Sequence, residues 1–286
     1  MGRVTNRRKV LRVDDGHTTV RPDTLVVEEP LEIRLGGEPL TVTMRTPGND
    51  FDLAAGFLVS EGVVSERKHI EAIRYCAGKD ENGENTYNVL DVELAEGVEP
   101  PDTSLQRNFY TTSSCGLCGK ASLDAVHTVA QWEVRDDPLL LTPEVITSFP
   151  DRLREAQRVF QRTGGLHAAG LFDSEGELLC LREDVGRHNA VDKLVGWALL
   201  AETLPLRSTV LQVSGRASFE LAQKALMAGI PAMTAVSAPS SLAVELAEDA
   251  GLTLVGFLRG SSMNIYTGAH RLGLREAEPA EAASGN

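Results

Sequence analysis

Cys115-Gly116-Leu117-Cys118 carries the most evident chemistry in this chain. A thiolate is both a nucleophile and a metal ligand, so two thiols at this spacing suit metal binding, dithiol exchange or sulfur transfer. The pair sits in Phe109 to Lys120, a run rich in Thr, Ser, Gly and Cys with no charge before Lys120. A neighbouring cation such as Lys120 favours the thiolate. The other cysteines, Cys76 and Cys180, stand alone in apolar surroundings and read as buried small hydrophobes. A closed zinc site needs four ligands, so the pair is short of partners within one chain. Four cysteines in 286 residues are too few for a disulfide scaffold.

A second group of polar residues lies in the C-terminal half. Ser214-Gly215-Arg216 separates an expected strand at 208–213 from a helix, and Ser237-Ala238-Pro239-Ser240-Ser241 follows an expected strand at 231–236 in the same way. The last expected strand, 252–258, runs out through Phe257-Leu258-Arg259-Gly260-Ser261-Ser262. Helix N-termini present free N–H groups and a positive dipole end, which suit phosphate. Arginine adds a charged fork. Ligands of α/β sheets gather outside the carboxyl ends of the strands. Taken singly, each loop is an ordinary helix cap. Together they predict a site for a nucleotide or other phosphorylated ligand. Asp184-Val185-Gly186-Arg187-His188-Asn189-Ala190, at another helix start, is either a cap with a local ion pair or a polar wall of the same cleft.

The elements that hold these groups follow from periodicity. Alternating apolar residues around Gly36-Gly37 predict strands over 24–45, with a helix over 50–60, a second after Ser65, and a strand over 89–94. Thr142-Pro143-Glu144 opens a helix running to about 163. A hairpin spans 167–172 and 177–181, and then strands alternate with single helices. The expected organisation is a disordered basic arm at 1–20 and an N-terminal β-rich α+β region at 21–137 that ends in the dithiol loop. An α/β domain of mixed sheet with helices on both faces follows at 138–274, and then a disordered tail at 275–286.

The element order of that domain resembles the cytidine deaminase core. Zinc deaminases need His-x-Glu at one helix start and Pro-Cys-x-x-Cys at the next. Here Ala190 stands where the glutamate is required, and the helix after Ser214 contains no cysteine. His69-Ile70-Glu71 imitates the first half of the signature but falls inside an expected helix. A zinc hydrolase is therefore disfavoured, and no metal is expected. The dithiol also lacks the strand-to-helix setting of a thioredoxin motif.

Composition sets outer limits. The net charge of -13 opposes binding to nucleic acid or to an anionic membrane surface. No apolar run is long enough to span a bilayer. Arg3, Arg7, Arg8, Lys9 and Arg12 precede no apolar h-region, which predicts a cytoplasmic protein.

The motifs in combination resemble the FdhD family of formate dehydrogenase accessory sulfurtransferases. The resemblance rests on Ser-Ser-Cys-Gly-Leu-Cys-Gly-Lys at 113–120, Gly-Gly-Leu-His-Ala-Ala at 164–169 and Glu-Asp-Val-Gly-Arg-His-Asn-Ala-Val-Asp-Lys at 183–193. Ser-Gly-Arg-Ala-Ser-Phe-Glu at 214–220 and Gly-Phe-Leu-Arg-Gly at 256–260 complete it. It implies a sulfur carrier that takes persulfide sulfur from a cysteine desulfurase and passes it to the molybdenum bis(molybdopterin guanine dinucleotide) cofactor for formate dehydrogenase. It also implies a homodimer, with Cys115 and Cys118 as the sulfur-handling pair. Phe257, Leu258, Arg259, Gly260, Ser261 and Ser262 would bind the cofactor, joined by Ser214, Gly215, Arg216 and His188 from the loops above. The alternative is a non-catalytic chaperone of cofactor or apo-enzyme.

Overall fold

The computed structural model describes residues 3–76, 78, 87–100 and 130–275. The dithiol pair and Lys120 lie outside the described residues, as does most of the C-terminal tail. The chain begins with a hairpin of β1 (Thr5–Asp14) and β2 (His17–Val26), paired antiparallel along their whole length. This corrects the expectation of a disordered arm at 1–20. Asp15 and Gly16 both have positive φ, the requirement of a tight two-residue hairpin turn. The flanking Val, Leu and Thr residues favour the strands.

A four-stranded sheet follows, in order β4-β3-β6-β5, made of β3 (Glu29–Leu35), β4 (Glu38–Arg45), β5 (Ile70–Tyr75) and β6 (Val89–Leu94). Only β3 and β6 run parallel. Helix α1 (Asp50–Ser60) connects its halves. The helix expected after Ser65 is a single 3-10 turn, Arg67–His69, that feeds β5. Ile70 to Tyr75 form a strand, with Ile70 buried and Glu71 exposed at its start.

The helix expected from 143 to 163 breaks at Gln157 into α2 (Pro143–Ala156) and α3 (Arg158–Thr163). Pro143 starts α2 as expected, and the Thr142 hydroxyl caps it by accepting from the Val145 N–H at 3.3 Å. The six-stranded sheet has the order β12-β11-β10-β9-β7-β8. It contains the hairpin β7 (His167–Phe172) and β8 (Leu178–Asp184), then β9 (Val210–Val213), β10 (Ala232–Ala235) and β11 (Thr253–Arg259). Strands β9, β10 and β11 are parallel, and their neighbours run against them. The final strand, β12 (Ser262–Thr267), lies beyond the last strand expected from the sequence. Helices α4 (Arg187–Leu200), α5 (Phe219–Met227) and α6 (Ser241–Ala250) make the crossovers. The architecture is mixed α/β.

Packing unites what the sequence divided near residue 137. One core cluster joins Leu31, Ile33 and Leu53 of the N-terminal half to Leu194, Leu211, Leu221 and Leu254 of the C-terminal half. A second cluster, with Ile146, Phe149 and Phe172, lies under α2. Helices α1 and α4 cross at Gly56 and Gly196. A Cβ on either residue would lie 1.8 Å from a backbone oxygen of the opposite helix, that of Asp192 or Asp52. Only glycine allows this approach.

Candidate anion-binding edge of the six-stranded sheet

Strands β9, β10 and β11 all end on one edge of the sheet, and antiparallel β7 begins there. Strand β8 ends there as well, opposite His167. The starts of α4, α5 and α6 therefore converge with the loops that follow β9, β10 and β11. Backbone hydrogen bonds tie these loops together. Ala217 N–H donates to Ala238 O at 3.2 Å, Ser240 N–H to Ala217 O at 3.0 Å, and Phe257 N–H to Ser237 O at 3.2 Å. The Arg259 Nε–H donates to Val236 O at 3.3 Å.

Most of the expected residues meet here, in differing roles. The Ser214 hydroxyl accepts from the Ala168 N–H at 2.9 Å, and the Ser214 N–H donates back to Ala168 O. Its job is to lock β9 to β7. Gly215 lies against the His167 ring; a Cβ there would be 3.6 Å from Nδ1. Arg216 is exposed at the mouth of α5. Phe257 has φ +52 and is 41 % exposed, because the β11–β12 pairing shifts register between Gly256 and Arg259 and turns the ring outward. Leu258 is fully buried in the second core cluster, so its side chain does not face a ligand as the sequence suggested. Gly260 turns with φ +53, and Ser261 and Ser262 are exposed beside it.

The segment 184–193 divides by role. Asp184 is buried and accepts from Lys193 Nζ at 2.6 Å, Asn189 Nδ2 at 3.1 Å, Gly186 N at 2.8 Å and Thr46 N at 3.1 Å. This network fastens the β4–α1 turn to α4, so Asp184, Asn189 and Lys193 act as structure. Arg187 and His188 project from the first turn of α4 instead. His188 Nε2 lies 3.8 Å from Glu220 Oε2, an ion-pair distance rather than a hydrogen bond. His188, first among several causes, holds the Glu220 carboxyl at about 2, and the backbone at the start of α5 and Ser218 lower it further. Burial lowers the His167 pKa, as do the nearby Arg187 and His188, while Asp184 opposes them.

Three groups stand out that sequence reasoning gave no separate role: His167, Ser218 and Glu220. Their types carry no signal without knowledge of the strand order that places them together. Arg187 Nε, His188 Nε2 and Ser218 Oγ are buried polar atoms with no hydrogen-bond partner among the described residues. Buried polar groups are normally paired. An arginine nitrogen, an imidazole nitrogen, a hydroxyl and converging helix starts together fit the phosphates of an anionic ligand. Among the described residues, no cluster of three His, Cys, Asp or Glu fits a metal ion.

The return of the chain from the dithiol segment is also fixed. Buried Arg271 donates to Val134 O at 2.6 Å, Arg135 O at 2.9 Å and Gly251 O at 3.0 Å. Two open grooves among the described residues, of about 360 and 260 Å³, are lined by Trp132 and Pro205 and by Arg135 and Tyr266, and the sheet edge contributes to neither.

The fold defines a class: a mixed α/β protein whose six-stranded sheet gathers helix starts and polar side chains at one edge. Within that class the chain belongs to the FdhD/NarQ family, whose model matches residues 26–273. It is 69% identical over 278 residues to the sulfur carrier protein FdhD of Streptomyces avermitilis, covering 97% of this chain and 99% of that protein. It is 58% identical over 275 residues to the one of Mycobacterium tuberculosis, covering 95% of this chain and 100% of that protein. It is 45% identical over 275 residues to the one of Saccharolobus solfataricus, again covering 95% and 100%. The fold is similar to the crystal structure of a Desulfotalea psychrophila protein described as a formate dehydrogenase accessory protein. That match has a TM-score of 0.72 at 22% identity, covering 94% of this chain and 100% of that one.

Proposed function

We propose that this protein is a sulfur carrier for formate dehydrogenase maturation, with Cys115 as the persulfide-bearing residue. The observation that carries the reading is the near full-length match to proteins named sulfur carrier protein FdhD, at up to 69% identity, in a chain that holds a Cys-x-x-Cys at 115–118. The donor is a cysteine desulfurase. The Cys115 thiolate attacks the outer sulfur of the donor's persulfide; the donor S–S bond breaks and its thiolate leaves. Cys115 now bears the extra sulfur. When Cys118 attacks the inner sulfur of that persulfide, sulfur leaves at the sulfide level and a Cys115–Cys118 disulfide forms. A thiol reductant then restores the pair.

The substrate that receives sulfur is the molybdenum bis(molybdopterin guanine dinucleotide) cofactor, destined for formate dehydrogenase. Its pyrophosphates suit the sheet edge. Arg187 Nε, His188 Nε2 (flanked by Glu220 at 3.8 Å) and the Ser218 hydroxyl lack hydrogen-bond partners there, and exposed Arg216 and Arg259 add charge at the rim. Exposed Phe257 offers a ring for stacking on a base. We assign the working form as a cytoplasmic homodimer. No helix among the described residues is long and apolar enough to cross a membrane.

The test is activation of sulfur-free formate dehydrogenase by the purified chain, a desulfurase and cysteine. Cys115→Ala is expected to abolish activation. Full activation by the Cys115→Ala/Cys118→Ala double variant would replace this reading with a non-catalytic chaperone.

A further inference from the structure

All of the β1–β2 hairpin except its last residue, Val26, lies outside the residues matched by the family model. Its strands of ten residues each extend roughly 33 Å. Its attachment to the body is at the base, where Val26 lies against Gly165 just beyond α3 and Val27 N–H donates to Val4 O. From Leu11 to Pro22 every residue is exposed. The hairpin forms a two-stranded sheet with no third strand among the described residues. Such a ribbon is marginal in water unless a surface covers one face.

Register shows which face needs cover. Leu11 pairs directly with Val20, and Val13 pairs with Thr18, so Leu11, Val13 and Val20 share one face. They are 70 %, 69 % and 67 % exposed, among the most exposed large hydrophobic residues of the described chain. Arg7 and Lys9 continue the same face toward the base. Charge indicates what that face meets. Residues 3–26 carry six cations against three carboxylates, a net +3 in a chain of net -13, so the rest of the chain carries -16. A basic, apolar-tipped hairpin on an acidic body complements a second copy of itself.

We propose that the hairpin is an exchanged dimer arm: each copy lays the Leu11–Val13–Val20 face and its basic flank on the acidic body of the other. The apolar tip supplies burial, and Arg7 and Lys9 on the same face set the orientation and make the contact sensitive to salt. The inference rests on the homodimer proposed above and stands apart from the sulfur chemistry.

Sedimentation of the full chain tests it. The wild type is expected to dimerise, with an affinity that weakens as salt rises. Leu11→Glu/Val20→Glu is expected to weaken dimerisation at least tenfold. Leu11→Thr/Val20→Thr retains residues that favour strands and removes the apolar face, so it is expected to weaken dimerisation as well, with the circular dichroism of the wild type. A wild type that sediments as a monomer, or Thr and Glu variants with unchanged dimer affinity, would overturn the proposal. Dimerisation equally strong in high salt would overturn the charge argument.

Discussion

Glu220 brings a negative charge to the first turn of α5, within 3.8 Å of His188. An anionic ligand at this edge must share that positive end of the helix with it. Glu220→Gln is therefore expected to tighten binding of inorganic pyrophosphate about two- to fivefold, read by calorimetry. Unchanged or weaker binding would remove Glu220 from the site. The same residue sets a pH dependence. Its folded pKa is depressed from 4.5 to about 2. Its contribution to stability is thus fully present above the unfolded value and is lost as pH falls from about 4.5 to 2. The stability difference between wild type and Glu220→Gln should shrink over that window in acid titrations followed by circular dichroism. Cys180 gives a second residue-scale prediction. Burial pushes its thiol up to about 11, with Arg182 opposing. It stays neutral near pH 7, so iodoacetamide should label it only after unfolding. Rapid labelling in the folded protein would contradict its placement.

At the scale of elements, the α1–α4 crossing and the Asp184 network position the start of α4, and with it Arg187 and His188. Gly56→Ala places a methyl group in the path of the Asp192 carbonyl. It should cost about 3 kcal/mol in denaturant unfolding, because backbone on the far side cannot yield as a side chain would. Lys193→Met leaves the buried Asp184 carboxylate without its cation, and should cost about 3–5 kcal/mol in the same measurement. A loss below about 1 kcal/mol in either variant would contradict the packing described. The alternation of strands and single helices beyond residue 165 was legible because apolar runs there are bounded by Gly, Ser and Pro. Pro143 and the Gly36-Gly37 turn were legible for the same local reason. The hairpin at residues 5–26 was missed because basic composition outweighed the Asp15-Gly16 turn between alternating residues. Strand β5 reads as helix from its sequence, since six residues decide poorly between the two periods. Neither the burial of Leu258 nor the meeting of Arg187, His188, Ser218 and Glu220 can be read from spacing. Both depend on a register shift in β11 and on a strand order that brings distant loops to one edge.

For the whole molecule, the proposed function divides the work between the sheet edge, as the place for an anionic substrate, and the cysteine pair, as the carrier of sulfur. The edge is built by the six-stranded sheet, and its loops are tied to one another by backbone hydrogen bonds. The pair belongs to a segment whose return into the core is held by buried Arg271. Family membership spans residues 26–273 and takes in both parts. The division of labour predicts separable defects: Arg187→Ala should weaken pyrophosphate binding and leave sulfur loading unchanged, whereas Cys115→Ala should do the reverse. The most direct test of the carrier role is intact-protein mass spectrometry after incubation with a cysteine desulfurase and cysteine. One added sulfur atom that maps to Cys115, persists in Cys118→Ala and disappears in Cys115→Ala is the predicted result. Addition that survives in Cys115→Ala, or none on the wild type, would contradict it.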